Sequence, residues 1–375
     1  MNRNIQILCI ANFIAAFGEG LYVYVLPNII RNLEATPTQV GITYAVLHFA
    51  AVITPIPGGF LADKYDRKKI IVLGWLIWLP IPILFSLATH WTHMLPSMFL
   101  YGLWLSGPAT SAYIATTTKA EEMTRAYTAI SASYWLGYTF SPSIGAYISQ
   151  KTNINTVFYL TSLFFTVTVV TLSFLTSQHA RDEQTIKTEK DSKEYSIKSI
   201  LAWTLFLSIL VFTLLLTRPI IPQFLADHYK YSDFQIGLIG STTFAGATVW
   251  CIVLGKLGDK WRKSGALSIG LITSTLAITI LITTSNYTIL LLNALLMGAT
   301  YTLWSLIGSI VGPLTPPTRR ARWISITHTG ATTAGLAASL AGGIIYEMSP
   351  HIPFLVFIPT AAVLTILGLT SKIRE

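Results

Sequence analysis

About a dozen stretches of roughly 20 mostly apolar residues follow one another along this chain, separated by short polar joints. As a helix, a stretch of that length covers the ~30 Å hydrocarbon core of a bilayer. Lipid offers the backbone no hydrogen-bond partner, so only helices and closed barrels cross it. The chain has 375 residues, 52% of them hydrophobic and 11% charged, against about 25% charged in soluble domains. Together these features predict an all-α membrane protein. Cys9 and Cys251 both fall inside apolar blocks, where they read as small packing residues and give neither a disulfide framework nor a metal site.

The hydropathy pattern predicts twelve spans, near 5–30, 38–62, 70–89, 93–117, 124–149, 154–177, 199–226, 233–256, 264–284, 286–312, 321–346 and 351–371. The first block is longer than the apolar core of a secretory signal and lacks a small-x-small cleavage site, so it is expected to stay as span 1. Short cytoplasmic loops retain Lys and Arg. With a cytoplasmic N-terminus, 21 of the 25 basic residues fall on that side, and Arg31, Lys151 and Lys230 on the other. Both termini are therefore expected in the cytoplasm, in a cell membrane. The net charge of +9 is dispersed over successive loops, which makes it a topology signal and excludes a nucleic-acid stripe.

Residues 179–198 hold ten charged side chains of both signs and almost no apolar ones, so this segment reads as a cytoplasmic linker. It separates two expected six-helix bundles, 1–178 and 199–375. Gln39, Gly41, Gly59, Asp63, Lys64 and Arg67 recur as Gln235, Gly237, Gly255, Asp259, Lys260 and Lys263, each 196 residues later. Parallel repeats across a central linker are a transporter architecture.

The run Gly59-Phe-Leu-Ala-Asp-Lys-Tyr-Asp-Arg-Lys-Lys69 resembles the signature between helices 2 and 3 of the major facilitator superfamily. The run from Gly255 through Asp259 and Lys260 to Lys263 is similar to its weaker second copy. Asp66 and Arg262 stand where the family has glycine, which puts the tight turn expected there at issue. The resemblance implies the superfamily fold, twelve helices in two pseudo-symmetric six-helix bundles, and transport by alternating access as a monomer.

A carboxylate at the cytoplasmic end of span 2 can accept the free N–H groups at the start of another helix. The pseudo-symmetry then points Asp63 toward the start of span 11, near Arg319 to Arg322, and Asp259 toward the start of span 5, near Thr124 and Arg125. By the resemblance, Gly59, Asp63, Lys64, Arg67, Lys68, Asp259, Lys260 and Lys263 form conformational latches, with Glu121 or Glu122 as a partner for Arg67 or Lys68. In span 5, Gly137, Ser141, Pro142 and Gly145 are similar to the exporter signature of the same family. Small residues at this spacing also serve close helix packing.

Away from the span ends, two full charges lie at membrane depth, Glu19 in span 1 and Arg218 in span 7. A central charge costs about 2.5 to 3.5 kcal/mol on insertion scales, so such residues face the bundle interior and act there. Three roles are open to Glu19: proton carrier, site for a cationic group, or half of an ion pair with Arg218. Helical spacing places Asn12, Ala16, Glu19 and Tyr22 on one face, and Asn293, Met297, Tyr301 and Trp304 on another, as cavity walls. Tyr113 and Tyr134 are further wall candidates, and His48 and His328 are candidate proton relays. Leu103 stands where the family carries an arginine in span 4, which weakens proton coupling.

No His/Cys/Asp/Glu cluster, phosphate loop or Ser-His-Asp arrangement marks an enzyme, and the reading calls for no cofactor and no metal. The leading expectation is a secondary transporter, exporting a small amphipathic or drug-like solute with protons as the coupling ion. Uptake of a small organic anion, for which Arg218 is the natural partner, is the second. A channel or a solute-sensing receptor is the reading from another class.

Overall fold

In a computed structural model, residues 2–118, 120–178, 197–303, 310, 311, 314 and 320–370 are described, and helix dominates them. Eight helical segments among these residues are long and apolar enough to cross a membrane. That is fewer than the twelve expected, because the other four candidates fall short of that length and apolarity. Span 4 is broken in its middle, and span 10 runs out of the described residues. Spans 5 and 11 are long helices rich in Ser, Thr, Gly and Ala. Leu163, Leu205, Leu292 and Ile366 are exposed apolar side chains on spans. In water that would be a liability; in lipid it is ordinary surface.

The chain divides into two compact units. The first comprises Met1–Ala35, Val46–Ile186 and Ser232–Ser241. It opens with α1 (Arg3–Val23), capped by the Asn2 side chain on the N–H of Asn4 at 3.0 Å. Proline then punctuates the early spans. α2 (Leu26–Asn32), α4 (Pro55–Lys64) and α6 (Ile81–Ser86) each carry a proline in their first turn, where its missing N–H costs nothing. Each therefore begins a new segment after α1, α3 (Pro37–Ile53) and α5 (Arg67–Trp78), respectively.

Span 4 is two helices, α7 (Met94–Gly102) and α8 (Ser106–Thr117), with Leu103 leaving helical geometry between them. The freed Leu103 carbonyl accepts the indole N–H of Trp78 at 3.2 Å. α9 (Ala120–Lys151) and α10 (Ile154–Ser173) pack along α1. A side chain at Gly145 of α9 would overlap the Leu21 carbonyl of α1, so glycine there sets how closely the two helices approach.

At one end of this unit, Asp66 and Arg67 are buried. The Asp66 carboxylate caps α5 by accepting the Lys68 N–H at 3.0 Å. Arg67 donates through Nη1 to the Thr116 hydroxyl at 3.0 Å and to the Gln178 side-chain oxygen at 3.4 Å. The turn expected from glycine is thus replaced by a helix cap.

The second unit comprises Thr36–Ala45, Lys187–Tyr231 and Thr242–Glu375. α11 (Ile197–Thr217) stops at Arg218-Pro219 and resumes as α12 (Ile220–Asp227). α13 (Asp233–Lys260) contributes to it beyond Thr242. α14 (Lys263–Thr283), α17 (Arg320–Met348) and α18 (Ile352–Thr370) complete its long helices. Between α14 and α17 lie α15 (Tyr287–Met297) and the short α16 (Ala299–Thr302), separated at Gly298. Phe224, Phe354 and Phe357 are fully buried in its core.

Candidate functional site

Glu19 sits between Gly18 and Gly20 on α1, and both glycines permit close approach. A Cβ on Gly18 would lie 2.6 Å from that of Phe164 on α10, and one on Gly20 would overlap Ser141 on α9. The side chain between them is therefore enclosed, only 5% exposed. A buried carboxylate must be hydrogen-bonded. Tyr101 of α7 donates its hydroxyl to the Glu19 carboxylate. Tyr138 of α9 hydrogen-bonds the same group. One turn back on α9, the Tyr134 hydroxyl lies 3.1 Å from that of Tyr138, with the rings 4.9 Å apart.

Glu19 also forms part of the wall of a cavity of about 380 Å³ in this unit. Six aromatic side chains, Trp75, Trp78, Trp104, Trp135, Tyr127 and Tyr134, share the rest of the wall with aliphatic and small polar residues such as Leu8, Ile71, Ser106 and Thr110. Trp78 meets the Tyr101 ring edge-on at 5.1 Å, so the staple on Leu103 and the support of the Glu19 partner are one side chain. Flat rings offer their negative faces to cations. An aromatic box with one carboxylate in its wall is chemically suited to a lipophilic cation.

In the second unit, Arg218 directly precedes the Pro219 break. Its Nη2 donates to the Thr300 carbonyl at 2.8 Å, and its guanidinium carbon lies 4.2 Å from the centroid of the Tyr301 ring. The Thr300 carbonyl belongs to the short α16. Tyr301 in turn packs on Phe244 at 5.1 Å. Buried Glu19 and half-buried Arg218 thus each have tyrosine and hydrogen-bond partners in their own unit.

Of the wall candidates, Asn12, Glu19 and Tyr134 line the cavity. Tyr22 is fully buried between Phe85 and Phe158, and Tyr113 hands its hydroxyl to the Thr176 carbonyl at 2.9 Å. Asn293 joins α15 to α14 through the Ala277 carbonyl at 2.8 Å. Trp304 lies outside the described residues, and His48 and His328 are half-buried. Asp63, Lys64, Asp259 and Lys260 are exposed on their own units, whereas Lys263 is half-buried and Gly59 has open space around it. Arg319 and the side chains of Glu121, Thr124, Arg125, Arg320 and Arg322, which the latch reading uses, lie outside the described residues. Gly137, Ser141 and Gly145 all pack against α1.

Tyr101, Tyr138 and the four tryptophans are site residues that sequence reasoning missed. Tyr134 and Tyr138, one helical turn apart with Trp135 between them, were the available signal.

The profile of the Major Facilitator Superfamily matches residues 8–218 and again 201–374. This chain belongs to that superfamily. It is 23% identical to "Multidrug resistance protein 2" of Bacillus subtilis (strain 168), over 94% of this chain and 91% of that protein. To "Quinolone resistance protein NorA" of Staphylococcus aureus (strain COL) it is 21% identical, over 76% and 75% respectively. The crystal structure of the nucleoside transporter NupG superposes with a TM-score of 0.76 at 13% identity, covering 100% of each chain, which shows the fold. The chain is therefore a multi-pass secondary transporter of the major facilitator superfamily, related to bacterial drug-efflux pumps. Among its described residues, no group of three or more His, Cys, Asp or Glu is placed to hold a metal.

Proposed function

We propose that this transporter exports small amphipathic or drug-like solutes from the cytoplasm in exchange for protons, and that its preferred cargo is a lipophilic cation. In this reading it acts as a monomer in the cell membrane, with twelve spans in two six-helix bundles (1–178 and 199–375, joined by the 179–198 linker) and both termini cytoplasmic. The observation that carries it is the Glu19 carboxylate in the wall of an aromatic cavity of about 380 Å³, a size in the range of drug-binding pockets. A proton and a cation compete for one buried carboxylate, because each neutralises the charge that burial penalises. Exchange follows when the site binds either but not both. The multidrug and quinolone-resistance names of its relatives support the direction. Asp63 and Asp259, with the basic residues beside them, are assigned to conformational control.

The test is efflux from proteoliposomes with ethidium, an aromatic cation, as probe. Wild-type protein should transport it in response to an imposed pH gradient. The Glu19→Gln variant should lose that response while remaining inserted; retained coupling overturns the role of Glu19.

Arg218 supports a second reading, uptake of a small organic anion, since a guanidinium stacked on Tyr301 is a ready partner for a carboxylate. Benzoate-driven quenching of intrinsic fluorescence that disappears in Arg218→Gln would favour it over export of cations.

A further inference from the structure

Glu19 changes its hydrogen-bonding role when it takes up a proton: the carboxylate only accepts, whereas the carboxyl group also donates. Two phenolic hydroxyls reach it, from Tyr101 and Tyr138. Ionised, the carboxylate accepts both, and the Tyr138 oxygen is left to accept from Tyr134, 3.1 Å away. Once protonated, Glu19 has an O–H of its own to donate, and the neighbour that receives it points its hydroxyl proton elsewhere. The Tyr138 branch has somewhere to turn: toward Tyr134, which itself stands in the cavity wall. The titratable groups around Glu19 are Tyr101 from α7 and Tyr134 and Tyr138 from α9, with Tyr22 of α1 beside Tyr101. α10 brings Phe164 and Thr161 against Gly18, and α5 brings Trp78 against Tyr101, none of which titrates.

We infer that Tyr134 and Tyr138 form a hydroxyl relay that carries the proton between cavity water and Glu19, and that proton uptake turns the Tyr134 O–H into the cavity. The inference rests on the proposed role of Glu19 in proton coupling. In the loading step a hydronium ion in the cavity gives a proton to the Tyr134 oxygen. Tyr134 passes its own hydroxyl proton to Tyr138, and Tyr138 passes its own to the Glu19 carboxylate. Three O–H bonds form and three break, including the one on hydronium, and each phenol ends neutral. The hydroxyl chain has reversed direction: Glu19 now donates to Tyr138, Tyr138 to Tyr134, and Tyr134 to water in the cavity.

The reversal gives the cavity two simultaneous changes. Its carboxylate loses its charge, and a wall position that had pointed inward presents a donor. A donor repels a cation that the carboxylate had held, so cargo release and proton loading become one event at a single wall.

The experiment compares ethidium efflux driven by a pH gradient in wild-type protein, Tyr138→Phe, Tyr134→Phe and Tyr101→Phe, with Tyr147→Phe as an exposed control on the same helix. The midpoint of thermal unfolding in detergent verifies that each protein is folded. Both relay variants should stay folded but lose pH-driven efflux about tenfold or more. In mixtures of light and heavy water, the wild-type rate should curve with isotopic fraction, because several protons move together. That curvature should become a straight line in Tyr138→Phe and persist in Tyr101→Phe, whose hydroxyl touches Glu19 but lies off the relay. Should Tyr138→Phe fail to insert, Tyr134→Phe carries the same test one step further out. Wild-type efflux with a curved isotope plot in both relay variants overturns the relay. Coupling retained in Glu19→Gln instead overturns the role of Glu19 itself.

Discussion

The carboxylate of Asp66 accepts the backbone N–H of Gln178 at 3.0 Å. The N–H of Arg67 donates to the carbonyl of the same glutamine at 2.9 Å, so both backbone groups of Gln178 are held by two successive residues. Gln178 is the last described residue before the charged linker. Where the family motif has glycine, this chain carries an acid that both caps α5 and fixes the point at which the chain leaves the first bundle.

Replacing Asp66 with glycine, the residue of the family motif, should therefore weaken the protein. Losing the cap and the bond to Gln178 is expected to cost about 1–3 kcal/mol. A lower midpoint of thermal unfolding in detergent is the readout, and an unchanged midpoint would show that the cap contributes nothing.

Trp78→Phe keeps a ring against Tyr101 but removes the N–H that reaches Leu103. A carbonyl freed by a helix break at membrane depth is then left to find water, at a cost of about 1–3 kcal/mol. The expected result is a reduced unfolding midpoint together with faster hydrogen exchange at Leu103 to Ser106, measured by mass spectrometry.

Arg218→Lys and Arg218→Ala should separate charge from shape. A lysine keeps the charge but cannot both stack flat on Tyr301 and direct a planar N–H at Thr300. Both variants should lose thermal stability, alanine by about 1–3 kcal/mol and lysine by less. Equal losses would mean that the charge itself is irrelevant to stability.

Gly145→Ala and Gly59→Ala should behave oppositely. The first drives a methyl group into the Leu21 carbonyl and is expected to cost about 1–3 kcal/mol or more. The second meets nothing within 4 Å and removes a flexible residue from α4, for a gain of up to about 1 kcal/mol. If folded Gly59→Ala protein transports poorly, the motif glycine serves motion and not packing.

The sequence made the membrane class, the family and Glu19 legible for one reason: a charge or a glycine-aspartate motif stands out against an apolar background. The aromatic box stood out against nothing. Trp75, Trp78 and Trp135 look the same in one dimension whether they face lipid, core or cavity, and only the packing of α1, α5, α8 and α9 decides among these. The breaks at Leu103 and Gly298 were equally hidden, since runs of apolar residues on both sides of a break keep the hydropathy of an unbroken span. Tyr22 and Tyr113 show the converse. Helical spacing put Tyr22 on the same face as Glu19, and Tyr113 was a further wall candidate, yet Phe85 and Phe158 pack on the first and Thr176 takes the hydroxyl of the second.

Two of the interrupted spans, 4 and 10, carry a lesson about biogenesis. Near each break a backbone carbonyl accepts a side-chain donor, at Leu103 and at Thr300. In each case the donor comes from earlier in the chain: Trp78 for Leu103, and Arg218 for Thr300. A ribosome feeding this protein into the membrane has thus already delivered the donor when the broken helix emerges. The defect in each late helix can be repaired on arrival, by a partner that is waiting for it.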